Sequence, residues 1–226
     1  IENLQLCEGT FLVKQNSKYG IINKKGTIVI KPEYDNIASD EYYTETDGYK
    51  KAGYIVSNKT EDGYRYGYVT LKGKKYLDAE FNSIDRVSQN TKNSEIYLVV
   101  SQNGKYGLYK NKKKIIETEY QSMKYDDNSE LLILQKGSKY GMASLDGKIV
   151  INVENTNIES KGIYIYASKE NENKVFDKSG NTVNINFNKS IYETENENYR
   201  ISTLDNNDKT YYGITDKNGN NLVSEK

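Results

Sequence analysis

The side chains that most often carry chemistry are nearly absent from this chain: its 226 residues include no histidine and a single cysteine, Cys7. Without histidine the commonest general base and the commonest metal ligand are missing, and neither a Ser-His-Asp nor a Cys-His relay can be assembled. One cysteine allows no intrachain disulfide and leaves the redox compartment open. No paired Cys-x-x-Cys, no zinc-type His-Glu-x-x-His and no Walker-type phosphate loop is present. Carboxylates and tyrosines remain. Two carboxylates at a fixed separation suffice for glycoside hydrolysis, and Glu33, Glu80 and Glu119 are the candidates, but they recur at one slot of a repeated motif, which points to a structural task. Asp126-Asp127-Asn128 and Asp205-Asn206-Asn207-Asp208 are oxygen-rich without the spacing of a calcium loop, and they read as turns. The sequence therefore points to a chain that is not an enzyme, with no catalytic residue, no metal and no cofactor.

Binding chemistry is better supplied. There are 22 tyrosines against 4 phenylalanines and no tryptophan. Tyr42, Tyr43 and Tyr49 stand among acidic residues in the longest insertion, Ser39 to Lys51, and are the candidate ligand-binding residues. Exposed tyrosine in such a setting suits saccharide stacking or a protein interface, the other reading being a mobile acidic loop. Tyr19, Tyr66, Tyr106, Tyr140 and Tyr212 each precede a glycine at one recurring slot and are expected in the core or at a hinge.

The elements that position these residues are imperfect copies of one unit, six in number, with approximate limits 1–36, 37–83, 84–122, 123–157, 158–190 and 191–226. The apolar residue opening each copy is Ile1, Ile37, Ile84, Met123, Ile158 or Ile191. The second copy is the longest at 47 residues, the others spanning 33 to 39. Each copy holds short apolar runs such as Phe11-Leu12-Val13, Ile21-Ile22 and Ile28-Val29-Ile30, rich in β-branched residues and too short for helices. Strands are expected, three of them evident per copy. Asn23, Thr70, Ser144, Asp177 and Asp216 each stand three residues before Gly26, Gly73, Gly147, Gly180 and Gly219. That spacing is the signature of a type I turn closed by a left-handed glycine, the hairpin with a G1 bulge. Lys113 in the glycine slot of the third copy would cost about 1 kcal/mol in that turn, so another loop is expected there. Pro32, the one proline, falls just after a strand run.

The expectation is an all-β single repeat domain over 1–226, built as tandem β-hairpin or meander units. Unequal unit lengths favour an open stacked solenoid. The alternative is a closed six-bladed β-propeller, which needs a fourth strand that only the Glu-Tyr-x-x-Ile element and its flanks could supply.

The recurring Glu33-Tyr34-Asp35-Asn36-Ile37, Glu80-Phe81-Asn82-Ser83-Ile84 and Glu119-Tyr120-Gln121-Ser122-Met123, together with the Tyr-Gly pairs, resemble the WG-repeat (KWG) family along the whole chain. Every family Trp is Tyr here, which keeps a flat ring with a polar tip but weakens any quaternary-ammonium cage. The resemblance implies a bacterial interaction module, often on or outside the cell, rather than an enzyme. Basic and acidic residues balance at 32 each, which leaves no polybasic footprint for nucleic acid. No run of 18 apolar residues exists, so membrane insertion within these residues is not expected. The Lys-, Asn-, Ile- and Tyr-rich composition suggests an AT-rich, low-GC Gram-positive source. Taken together, the sequence points to an extracellular or envelope module that binds cell-wall polysaccharide, another glycan or a surface protein. A cytoplasmic location and a passive architectural spacer are the alternatives.

Overall fold

The computed structural model describes residues 3–6, 9–44, 48–87, 95–162, 164–170, 172–183, 190–193, 199–204, 209–216 and 220–224, and these contain strands and turns but no helix. The chain divides into two compact units, Ile1–Glu119 and Tyr120–Lys226. In the first unit, β1 (Asn3–Leu6), β2 (Thr10–Gln15), β3 (Lys18–Asn23) and β4 (Ile28–Tyr34) form one antiparallel meander. β5 (Asn36–Thr44), β6 (Gly48–Thr60), β7 (Gly63–Thr70) and β8 (Lys75–Phe81) form the second. β9 (Ser83–Arg86), β10 (Tyr97–Gln102), β11 (Lys105–Lys110) and β12 (Lys113–Tyr120) form the third.

The second unit continues the pattern. Its first sheet is β13 (Ser122–Asp126), β14 (Leu131–Lys136), β15 (Lys139–Ala143) and β16 (Ile149–Asn155). The next is β17 (Asn157–Lys161), β18 (Tyr164–Lys169) and β19 (Glu172–Phe176), and the last is β20 (Ser190–Glu193), β21 (Tyr199–Leu204), β22 (Thr210–Thr215) and β23 (Asn221–Val223). The chain is thus all-β, in tandem meanders. In five of the six described sheets the expected three strands become four, because the residues around Glu-Tyr-x-x-Ile end one sheet and open the next. In β1 the register places Asn3 opposite Val13, as Ile37 is opposite Val56, so the opening slot of the first sheet belongs to Asn3 and not Ile1.

Two glycines shape each sheet. The second glycine of the repeat closes the expected turn: Gly26, Gly73, Gly147 and Gly180 have φ of +79°, +77°, +90° and +85°. Each donates its N–H to the carbonyl three residues back, at 2.9–3.1 Å. Asn23 Oδ1 accepts from the N–H groups of Lys25 and Thr27, which caps that turn. Lys113 instead opens β12, and the loop before it is the two residues Asn111-Lys112, with Asn111 at φ +54°.

The glycine of the Tyr-Gly pair does something else. A Cβ on Gly20, Gly67, Gly107 or Gly141 would stand 2.6–2.7 Å from the carbonyl oxygen of Ile30, Leu77, Ile116 or Ile151 on the facing strand. The register explains this closeness. Tyr19 faces Tyr34 while Ile21 faces Ile30, so one residue on β3 opposes three on β4. The same bulge separates Tyr66/Phe81 from Tyr68/Leu77 and Tyr140/Asn155 from Met142/Ile151. Pro32 sits inside β4 at this bulge, where a missing donor breaks no ladder bond. In the fifth sheet the glycine slot is Lys174, and the described residues after the turn meet β19 at an isolated bridge, Phe176 to Thr182, with Val183 N–H donating to Val175 O at 2.9 Å.

The core lies between consecutive sheets. Ile21, Ile30 and Tyr34 of the first sheet pack on Ile37, Tyr54, Val56 and Val69 of the second. Tyr68, Leu77 and Phe81 of the second pack on Ile84, Leu98 and Val100 of the third. In the other unit, Leu131, Met142 and Ile151 pack on Ile158, Ile165 and Ala167. Asp35 Oδ2, Asn82 Oδ1 and Gln121 Oε1 accept the N–H of Lys59, Asn103 and Gly137 at 2.9, 2.9 and 2.7 Å, tying the second-to-third-strand hairpins of the second, third and fourth sheets to the residue that precedes the first strand.

Candidate functional site

The insertion in the second copy is a ribbon. Its strands run Glu41↔Lys51, Tyr42↔Lys50, Tyr43↔Tyr49 and Thr44↔Gly48, beyond a bulge at Asp40/Glu41. β7 ends at Thr70, opposite Gly53, so this end of the hairpin extends past the third strand with only two strands across. A two-stranded ribbon is marginal in water by itself, and this one is braced at its base. Tyr42 is half-buried beneath the Arg86 guanidinium, 4.8 Å from the ring centroid. Arg86 Nε donates to Asp40 at 3.1 Å, and Tyr68 Oη donates to Asp40 Oδ2 at 2.6 Å. Asp40 and Tyr68 are buried. Gly53 makes the space, since a Cβ there would meet the Tyr68 hydroxyl at 2.5 Å. Burial pushes the Tyr68 phenol well above its ordinary value and the Asp40 carboxylate pushes it further, so it stays a proton donor to Asp40.

The three candidate tyrosines are therefore brought onto one ribbon but play unlike parts. Tyr42 belongs to the brace. Tyr43 and Tyr49 form the tip, 62% and 78% exposed, with ring centroids 5.4 Å apart and planes inclined at 68°. Planar faces presented to solvent on a fixed base can stack on a sugar ring or fill an apolar pocket of a partner.

The brace has a counterpart that sequence reading missed. Asp126 occupies in the fourth sheet the slot of Asp40, three residues after the opening apolar residue. Its Oδ2 accepts from Ser129 N at 2.8 Å, Ser129 Oγ at 2.5 Å and Ser160 Oγ at 2.5 Å. Ser160 holds the slot of Arg86, so both aspartates clasp the next sheet through one position. Burial raises the Asp126 pKa, and the serine hydrogen bonds outweigh it, leaving the carboxyl below its usual range. Ser39 holds that slot in the second sheet, and its buried hydroxyl has no partner among the described residues. By the β1 register the aspartate slot of the first sheet is Leu6, which has no acceptor to offer. The signal in the sequence was an acidic residue three places beyond an apolar one, twice, hidden in a chain rich in acids.

The other flagged residues scatter. Glu33, Glu80 and Glu119 are exposed, each on the bulged strand of a different sheet. Lys75 stands 3.7 Å from Glu33. Asp126 of the oxygen-rich turn is committed to the clasp. Asp205-Asn206-Asn207-Asp208 and Cys7 lie outside the described residues. Of the five tyrosines expected in the core, Tyr19, Tyr66, Tyr106 and Tyr140 are half-buried at its margin, and Tyr212 is 52% exposed. Among the described residues the fully buried rings are Tyr54, Tyr68, Tyr164 and Phe81. Two clefts recur at one place in the repeat. The first, of about 340 Å³, is lined by Val29, Ile30, Glu33, Val69, Gly73 and Lys75. The second, of about 250 Å³, is lined in the matching slots by Val150, Ile151, Glu154, Phe176, Gly180 and Thr182.

Residues 19–42, from the Tyr19-Gly20 bulge through the turn and the Glu-Tyr-Asp-x-Ile junction to Tyr42, match the family described as WG containing repeat. This one segment carries a WG-type repeat. The Gly of the WG motif is here the residue over which the fourth strand buckles, and Tyr takes the place of its Trp. No curated protein matches the sequence. Among solved structures, Kluyveromyces lactis Hsv2 is similar at 13% identity over 92% of this chain and 71% of that one, with a TM-score of 0.34. A eukaryotic initiation factor is similar at 9% identity over 99% of this chain and 64% of that one, with a TM-score of 0.40. The dihydro-heme d1 dehydrogenase NirN, in complex with DHE, is similar at 10% identity over 96% of this chain and 53% of that one, with a TM-score of 0.33. At these scores the likenesses add nothing to the fold described above.

Proposed function

We propose that this WG-repeat chain is a non-catalytic interaction module of the cell envelope or exterior, which binds a glycan or a surface protein through the Tyr43–Tyr49 tip. One observation carries the reading: two exposed phenol rings stand on a ribbon whose base is braced by Arg86, Asp40 and Tyr68. Aromatic side chains held in place lose little entropy on binding and supply much contact area, which is why they dominate interface energetics. Tyr42 contributes by bracing and is not expected to touch ligand.

The test is cosedimentation of the purified chain with Gram-positive cell-wall sacculi, before and after removal of the secondary polymers, using the native chain and the double variant Tyr43→Ala, Tyr49→Ala. Pelleting that depends on those polymers and weakens at least about tenfold in the variant, about 1.4 kcal/mol, is expected, with the unfolding midpoint kept. Pelleting that is equal in both proteins would remove the ribbon from the account. No pelleting at all would favour a protein partner or the passive spacer.

A further inference from the structure

Tyr43 and Tyr49 face each other directly across the ribbon, their ring centroids 5.4 Å apart. Phenols are oxidised one electron at a time, and the resulting radical shares its unpaired electron between the oxygen and the two ortho carbons. Two such radicals held side by side combine through those carbons. We propose that Tyr43 and Tyr49 are an oxidative cross-linking site, joined as dityrosine by a one-electron oxidant of the haem peroxidase class with hydrogen peroxide as the electron acceptor. Each phenol gives up one electron and one proton, and an ortho–ortho C–C bond forms. The two ortho C–H bonds then break, their protons moving to the oxygens to restore both phenols and the aromatic rings. Hydrogen peroxide takes up the two electrons and two protons, its O–O bond breaks, and it leaves as two waters.

The surroundings select this pair. Tyr42, on the same strand, has a guanidinium 4.8 Å from its ring centroid, and a cation over the ring opposes removal of an electron. Tyr64 is 47% exposed but faces Lys59 across its hairpin. Tyr68 and Tyr76 stack with centroids 6.4 Å apart, yet Tyr68 is closed off from any oxidant by the core. Exposure of both rings and a facing ring coincide, among the described residues, at Tyr43 and Tyr49. Coupling within one ribbon also has an effective concentration far above that of a second chain. The product is a covalent staple across a ribbon that has only two strands, so the cross-link would fix the tip.

The chain is treated with a haem peroxidase and hydrogen peroxide over a dilution series, followed by dityrosine fluorescence, intact mass and sequencing of linked peptides. The expected product is a monomer lighter by two hydrogen atoms, linked Tyr43 to Tyr49, in a yield independent of protein concentration. Tyr43→Phe and Tyr49→Phe, which keep the ring packing, should each lower the fluorescence about tenfold, while Tyr64→Phe leaves it unchanged. In urea the preference for this pair should vanish. Linkage mainly between chains, linkage mapped to other tyrosines, signal kept in Tyr43→Phe, or a preference that survives urea would each overturn the proposal.

Discussion

Gly67 and Gly26 resist a side chain for different reasons. At Gly67 an added Cβ would stand 2.6 Å from the Leu77 carbonyl oxygen and 2.8 Å from the Ala79 nitrogen, both backbone atoms that cannot swing away. At Gly26 nothing lies within 4 Å, and the objection is only its φ of +79°. Gly67→Ala should therefore cost about 3 kcal/mol by overpacking, against about 1 kcal/mol for Gly26→Ala from left-handed strain. Urea midpoints of the two variants give the comparison, and a larger loss at Gly26 would contradict it. Asp126 supplies a pH dependence. Its folded pKa is depressed, so the unfolded chain binds more protons as pH falls, and the clasp's contribution, complete above the ordinary carboxylate value, is lost on acidification through the folded value. Stability should fall as the pH drops through and below the ordinary carboxylate value of about 4, and Ser160→Ala, which removes one of the donors, should flatten that part of the profile. A profile identical to the native one would leave the clasp without thermodynamic weight.

At the scale of elements, the third sheet shows that a hairpin can exchange its turn and keep its strands. Asn111 adopts the left-handed conformation in a shorter loop, and its Oδ1 accepts from Ile96 N at 3.1 Å. Lys113 is then a strand residue, so Lys113→Gly should fail to stabilise and should instead cost about 0.5 kcal/mol through added backbone freedom. A gain in melting temperature would mean that the longer turn is adopted after all. The ribbon makes the complementary case, an element defined by its brace. Asp40→Ala strands the Arg86 guanidinium and removes the acceptor of Tyr68, for a loss of about 3 kcal/mol. Hydrogen exchange of amides 41–44 and 48–51 should accelerate with it, and protection kept there would show that the cross-strand tyrosines suffice.

On the scale of the molecule, every described paired strand is a near neighbour in sequence, and the described inter-sheet cores within each unit join one copy to the next. Arrays of this kind draw stability from each unit and its nearest interfaces. The first compact unit contains β1 to β11 and all but the last residue of β12, and the described pairings of these strands are with one another. Residues 1–121 expressed alone are expected to give a β-type circular dichroism spectrum and a cooperative urea transition. A flat, gradual transition would show that the remaining copies are needed to close its core.

Much of this was written locally. The strand runs, the polar residue three places ahead of a glycine and the apolar residue opening each copy depend on neighbours a few positions away, and the sequence alone determined the all-β meander and the turn at Gly26, Gly73, Gly147 and Gly180. The Tyr-Gly glycine was visible, but its reason was not, because the carbonyl that excludes a Cβ comes from a strand about ten residues later at an unpaired bulge. The three insertion tyrosines could be named, yet only the tertiary structure divided them, placing Tyr42 beneath Arg86 of the next sheet and leaving Tyr43 and Tyr49 at the tip. Asp40, Arg86, Asp126 and Ser160 look like ordinary surface residues in a chain with 32 acids and 32 bases. Whether a charge is buried, and against what, depends on which sheets stack, and that is decided by contacts far apart in the sequence.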